Sequence, residues 1–160
     1  MSFLLNYGYK FEIDITPGGQ TPTKAVIAKG ITSVDPDNNE ETEETYYYDG
    51  GGSAERDVTG GMLGYGFEGH RFYGDAAQDY IFSLMNKFGP ARKTTFTVTE
   101  PNGDKWEGKA TISEIKAPGG DANSKGEIEF TISFDGKPTF TDYTFVKKLL
   151  KLKMGTFYYM

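Results

Sequence analysis

The sequence predicts a mainly β chain: an antiparallel β-sandwich or barrel-like domain with one flanking α-helix at about residues 75–88. Three observations lead there. Aromatic residues reach 15%, mostly Tyr and Phe, and with Thr they favour strands. Glycine supplies 21 of 160 residues and punctuates turns. Several segments alternate apolar and polar side chains with a period of two, the mark of a half-buried strand. The length suits one domain with a real core, expected over residues 1–138 and followed by a basic arm over residues 139–160.

Residues 9–16 give the first strand, with Phe11, Ile13 and Ile15 facing one way and Lys10, Glu12 and Asp14 the other. Pro17, Gly18 and Gly19 end it. A second strand is expected over residues 24–34, with Val26, Ala28 and Ile31 inward. Residues 35–60 read as a long acidic loop. It holds Asp35-Pro36-Asp37-Asn38-Asn39, a short aromatic piece Tyr46-Tyr47-Tyr48 that can pair as a strand, and Gly50-Gly51-Gly52. Structureless loops of this length are uncommon unless functional or disordered, and this one is too acidic and glycine-rich to fold alone. Residues 62–68 form a strand whose Leu63, Tyr65 and Phe67 share a face. Gly64 and Gly66 leave the other face bare, so another backbone or subunit can approach it closely.

Every helix signal converges on residues 75–88. Asp75 is the N-cap and Gln78 sits three residues on, a capping-box pattern. Ala77, Tyr80, Ile81, Leu84, Met85 and Phe88 form one helical stripe, and Gly89 and Pro90 stop it. Strands follow at residues 94–100, with Phe96 and Val98 inward, and at residues 105–115, with Trp106, Ala110 and Ile112 inward; Pro101-Asn102-Gly103-Asp104 is the hairpin turn between them. Residues 125–135 alternate strictly: Ile128, Phe130, Ile132 and Phe134 against Glu127, Glu129, Thr131 and Ser133. The segment from residue 139 on has one acid, Asp142, and the lysines 147, 148, 151 and 153; it reads equally as a basic helix, an added strand or a tail.

Charge and chemistry exclude several classes. The net charge is −6, and residues 35–57 alone hold nine acids against Arg56. So acidic a chain is ill suited to sequence-reading DNA contacts, which need Lys and Arg. Cysteine is absent, which excludes disulfides and thiol chemistry. No apolar run is long enough for a membrane helix, and the first residues lack a signal-peptide pattern, so assembly in a cytoplasm is expected. His70 is the only histidine and has no signalled nucleophile or orienting acid. The run 35–40 lacks the glycine and closing glutamate of a calcium loop, and no glycine run ends as a phosphate loop does. No catalytic residue, metal site or cofactor is expected. Aromatic clusters at Tyr46-Tyr47-Tyr48 and Phe157-Tyr158-Tyr159 read as sheet or interface residues.

The order of segments carries a resemblance. Lys29-Gly30-Ile31-Thr32-Ser33-Val34-Asp35-Pro36 precedes the acidic run Asp37-Asn38-Asn39-Glu40-Glu41, then Tyr46-Tyr47-Tyr48-Asp49, a glycine loop and Asp57-Val58-Thr59-Gly60. Next come Phe67-Glu68-Gly69-His70-Arg71, Gly74-Asp75-Ala76-Ala77-Gln78-Asp79-Tyr80-Ile81 and, finally, Phe134-Asp135-Gly136-Lys137-Pro138. Over roughly residues 5–140 this set resembles the major tail (tail tube) proteins of siphophages infecting Gram-positive bacteria.

The resemblance implies a tail tube fold and a structural, non-enzymatic subunit of the virion tail. Such subunits form hexameric rings, and stacked rings form the tube. The tape-measure protein and then double-stranded DNA occupy the lumen, without sequence-specific binding, and a tail terminator closes the end. It also implies an inter-ring role for the long loop, with Asp37, Asn39, Glu40, Glu41, Glu43, Glu44, Tyr46, Tyr47 and Tyr48 as candidates. The polar strand faces offer candidate lumen acids, Glu12 with Asp14 and Glu127 with Glu129. The helix residues Asp75, Tyr80, Ile81, Leu84, Met85 and Phe88 are expected to be structural. The alternatives are another small β virion protein, such as a tail terminator or decoration protein, and a carbohydrate-binding module.

Overall fold

The computed structural model describes residues 2–157. Its strands are β1 (Lys10–Asp14), β2 (Lys24–Val26), β3 (Ile31–Asp37), β4 (Glu41–Tyr46), β5 (Ala54–Gly60), β6 (Gly64–His70), β7 (Lys93–Thr99), β8 (Lys105–Gly119), β9 (Glu127–Phe134) and β10 (Thr139–Thr141). Two α-helices are present among the described residues, α1 (Ala76–Ser83) and α2 (Tyr143–Phe157), so the basic arm is helical from Tyr143 to Phe157. Of the aromatic cluster at the chain end, Tyr158 and Tyr159 lie outside the described residues.

Eight strands form one antiparallel sheet in the order β2-β1-β7-β8-β9-β6-β3, with β10 added on β8. Laid flat, seven strands at ~4.8 Å spacing would part β2 from β3 by about 29 Å. Only residues 27–30 join them, and the chain from Val26 to Ile31 reaches at most about 18 Å. The sheet must therefore curl into a nearly closed barrel. At the closure the backbones crowd: a Cβ on Gly69 would meet Gly30 O at 2.1 Å, and Gly30 itself has φ +76. Only glycine fits at both places without a shift.

Inside the curl, period-two alternation becomes the core. Phe11, Ile13, Phe96, Val98, Ala110, Ile112, Ile128, Phe130, Ile132 and Phe134 are all buried. Phe67 stacks on Phe130 with centroids 5.0 Å apart and meets Phe11 edge-on at 5.1 Å. Burying each such ring contributes roughly 1.5–3 kcal/mol.

The second expected strand is out of phase with the sequence reading. Ala25 and Ile27 are buried, whereas Val26 and Ala28 are exposed, because Ala25 pairs with Ile13 and so takes its face. The expected single run 24–34 is broken by the barrel closure at residues 27–30 into β2 and β3. Residues 35–60 also differ from an irregular loop. The first three extend β3, and the remainder is the antiparallel β4–β5 hairpin, a sheet of its own.

The helix is shorter than its stripe. Asp75 caps it as expected, its Oδ2 accepting from Gln78 N at 3.1 Å. Ile81 and Leu84 are buried, and Tyr80 and Met85 are half-buried. The helix ends at Ser83 because the next turn tightens and its carbonyls are claimed from outside: Arg92 donates to Met85 O at 3.2 Å and to Lys87 O at 2.7 Å. Phe88 thus leaves the stripe and is 78% exposed. Gln78 does not reach back to Asp75 as a capping box requires. It is buried, and its Nε2 donates to Lys29 O (2.7 Å) and His70 O (3.1 Å) while its Oε1 accepts from Phe72 N (2.9 Å), tying the helix to the barrel closure.

Candidate assembly surfaces

Strand directions collect the protruding parts at one end of the barrel. β3 runs down to Asp37, where the hairpin begins; β7 and β8 turn at residues 100–104 at that same end; β1 starts there. Gly8 lies against Pro101, and Tyr143 at the start of α2 lies on Gly103, its N–H donating to Asp104 Oδ1 at 3.0 Å. The N-terminal segment, the hairpin and α2 therefore share one pole.

The hairpin base is built by Asn39, held at φ 46. Its N–H donates to Asp37 Oδ1 at 2.9 Å and its Nδ2 to Met62 O at 3.1 Å. Beyond the base the hairpin has two unlike faces. Thr42 with Val58, Glu44 with Arg56, and Tyr46 with Ala54 share one, and Arg56 Nε donates to Glu44 at 2.9 Å. Glu43 with Asp57, and Thr45 with Glu55, share the other, which is acidic. Glu40, Glu41, Tyr46, Tyr47 and Tyr48 are exposed, Tyr48 entirely. A two-stranded ribbon is marginal in water unless something packs on it. Among the described residues, none of this ribbon belongs to the buried core or packs against it.

The four candidate lumen acids separate into two different settings. Asp14 is buried, and its Oδ1 accepts from Thr16 N (2.9 Å) and Thr23 N (3.0 Å), so it is spent on the β1–β2 turn. Glu12 is half-buried, 3.5 Å from Lys10 Nζ, in a cross-strand row with Thr97 and Glu107. In that row Glu107 accepts from Lys24 (3.1 Å) and Thr97 (3.0 Å), with Lys105 at 3.3 Å. Burial alone would raise the Glu107 pKa, but these hydrogen bonds outweigh it and hold it below the usual carboxylate range. Glu127 and Glu129, by contrast, are exposed on β9, and Glu68 stands opposite Glu129 on β6. Three carboxylates thus share the outer face of β6 and β9.

Two features were not singled out from the sequence. One is the exposed N-terminal run of Phe3, Leu4, Leu5 and Tyr7. The other is a groove of about 660 Å³ along the open seam between β1 and β3, lined by Tyr7, Phe11, Ile27, Val34 and Tyr65 among others. Its only signal was the bare apolar character of residues 3–9, which no period organises. Within it the Tyr65 hydroxyl is pushed up to about 12, first by burial and then by Glu100 and Tyr9. Among the described residues no three His, Cys, Asp or Glu side chains gather as a metal site would require. His70 ends β6, opposite Glu127.

The sequence matches no protein-family model and no curated protein. Solved structures do match. The tail of an empty gene transfer agent particle, refined with C6 symmetry, superposes with a TM-score of 0.64 at 19% identity, over 88% of this chain and 100% of that one. The SPP1 tail tube gives 0.62 at 12% identity, over 92% and 85%. The tube-terminating cap of the anti-feeding prophage gives 0.54 at 18%, over 88% and 92%. The class defined by this architecture is therefore the tail tube fold, a mainly antiparallel curled sheet with a flanking helix.

Proposed function

We propose that this chain is the structural, non-enzymatic subunit of a bacteriophage tail tube, of the non-contractile kind found in siphophages of Gram-positive hosts. In this reading six copies close a ring, rings stack into a tube, the tape-measure protein fills it during assembly, a terminator caps it, and the genome passes through. The observation that carries the reading is the likeness over almost the whole chain to subunits of tails and tubes, one of them with C6 symmetry. The hairpin adds to it: a ribbon that, among the described residues, joins no part of the core and exposes Tyr46, Tyr47 and Val58 is suited to contacts between copies. The open seam between β1 and β3 leaves strand edge unpaired there, which favours joining across subunits for the same physical reason. Negative-stain microscopy of the concentrated protein is the test. Hexameric rings or tubes of one diameter are expected; a protein that stays monomeric at millimolar concentration, or forms a single closed ring that never stacks, overturns the tube reading.

A further inference from the structure

We infer that the basic face of α2 in one copy docks on the acidic face of the β4–β5 hairpin in a neighbouring copy, an inference that rests on the self-assembly proposed above. Among the described residues, side-chain hydrogen bonds tie the helix down at its start. Asp142 caps it, accepting from Thr144 N at 2.7 Å, and Tyr143 clasps the β7–β8 turn through Asp104. Beyond that, Phe145, Leu149, Leu150 and Met154 are exposed, an apolar arc that globular monomers seldom leave in water. Lys147, Lys151 and Lys148 fill the part of the helix circumference that this arc leaves, Lys147 and Lys151 one turn apart, while Lys153 falls within the arc. Among the described residues no carboxylate pairs with these lysines; Lys147 stands over the Tyr143 ring at 4.6 Å.

The hairpin is the complement in charge. Its Glu43, Glu55 and Asp57 share one face, and among the described residues none of them has an ion-pair partner. The spacings agree: one helical turn separates Lys147 from Lys151 by about 6 Å, and two strand residues separate Asp57 from Glu55 by about 6.7 Å. Both elements leave the same pole of the barrel. Copies standing side by side in one orientation therefore hold the helix of one at the level of the hairpin of the next. The contact is heterologous, so it propagates around a ring.

A charge swap on the full-length protein tests this. One variant carries Glu43→Lys, Glu55→Lys and Asp57→Lys; the other carries Lys147→Glu, Lys148→Glu and Lys151→Glu. Circular dichroism checks that each is folded, and sedimentation velocity at low and high salt reads assembly. Each variant alone should raise the concentration needed for assembly by about 100-fold or more, since like charges then face each other. An equimolar mixture should regain assembly near the wild-type concentration, and added salt should weaken it. Wild-type assembly with both variants assembling unchanged overturns the docking and leaves the tube reading standing. Loss in both variants without recovery in the mixture also overturns it. A wild-type protein that never self-associates overturns the tube reading and this inference together.

Discussion

Glu43 and Asp57 stand directly opposite each other across the β4–β5 hairpin, so one cross-strand pair joins two carboxylates. Like charges in that position repel. The hairpin keeps its register through the other face, where Arg56 reaches Glu44 and Tyr46 lies opposite Ala54. Asp57→Lys should turn the repulsion into attraction and stabilise the isolated hairpin by roughly 0.2–1 kcal/mol. Slower amide exchange over residues 42–58 in the dispersed subunit is the expected result. Unchanged exchange would show that this pair does not limit the ribbon.

Gln78 should be costly to lose. It satisfies the carbonyls of Lys29 and His70 and the N–H of Phe72 from a buried position. Gln78→Ala strands those groups and should lower stability by on the order of 1–3 kcal/mol. For a chain of this size that is a fall in melting temperature of several degrees. Because the residue joins α1 to the barrel closure at Gly30, exchange should rise in α1 and β3 together. A rise confined to the helix would show that the closure stands without it.

The stripe that suggested the helix now separates into buried and exposed members. Leu84 is 3% exposed and Phe88 78%. Leu84→Ala should cost about 2–5 kcal/mol, and Phe88→Ala close to nothing in the dispersed subunit. Thermal melts of the two variants give the comparison; equal losses would mean that the stripe is buried along its whole length.

That contrast shows what the sequence made legible. Asp75 and the alternation of residues 127–132 are local signals, and both appear in place, whereas Ser133 breaks the alternation by being buried. Where the helix stops depends on Arg92, four positions beyond Phe88 in sequence, folding back onto two carbonyls. The phase of β2 depends on Ala25 facing Ile13, a partner twelve residues away. The hairpin depends on Glu44 meeting Arg56 across a glycine-rich tip. Such pairings are set by register, which composition hides. Among the candidate site residues, Asp14 shared an alternation with Glu12, but its carboxylate serves a turn that periodicity does not describe.

Two titrations should bracket the stability curve. The Glu107 pKa is lowered in the folded chain, so its contribution is full above the unfolded value, about 4.3, and is lost as pH falls through the folded one. Glu107→Gln should therefore weaken the protein at pH 7 and match wild type in acid. With the side chain 39% exposed, screening keeps the effect within about 1 kcal/mol. Tyr65 acts at the other end. Its pKa rises to about 12, so the stability tied to its neutral form is full below the unfolded value and lost as pH climbs to the folded one. Tyr65→Phe should flatten the alkaline limb of a denaturation series; an unchanged limb would place the sensitive group elsewhere.

The last prediction concerns the outer sheet face. Their strand neighbours Ile128 and Phe130 point into the barrel, so Glu127 and Glu129 point away from it, and Glu68 joins them across β6. Glu12 is half-buried and Asp14 buried, whereas Glu127 and Glu129 are exposed even with Lys116 across from Glu129 on β8, so the β9 acids are the stronger candidates for a wall that DNA slides past. Phosphates passing within about 10 Å of such carboxylates are repelled even at physiological salt. Reversing the charge with Glu127→Lys and Glu129→Lys should leave the subunit folded, because both side chains are exposed. Preformed tubes of the double variant should then retain double-stranded DNA at low salt and release it at high salt, while wild-type tubes retain none under either condition. Retention in the variant should also slow genome passage in a reconstituted phage. Equal retention by both tubes at both salt concentrations would put this face of β9 on the outside of the tube.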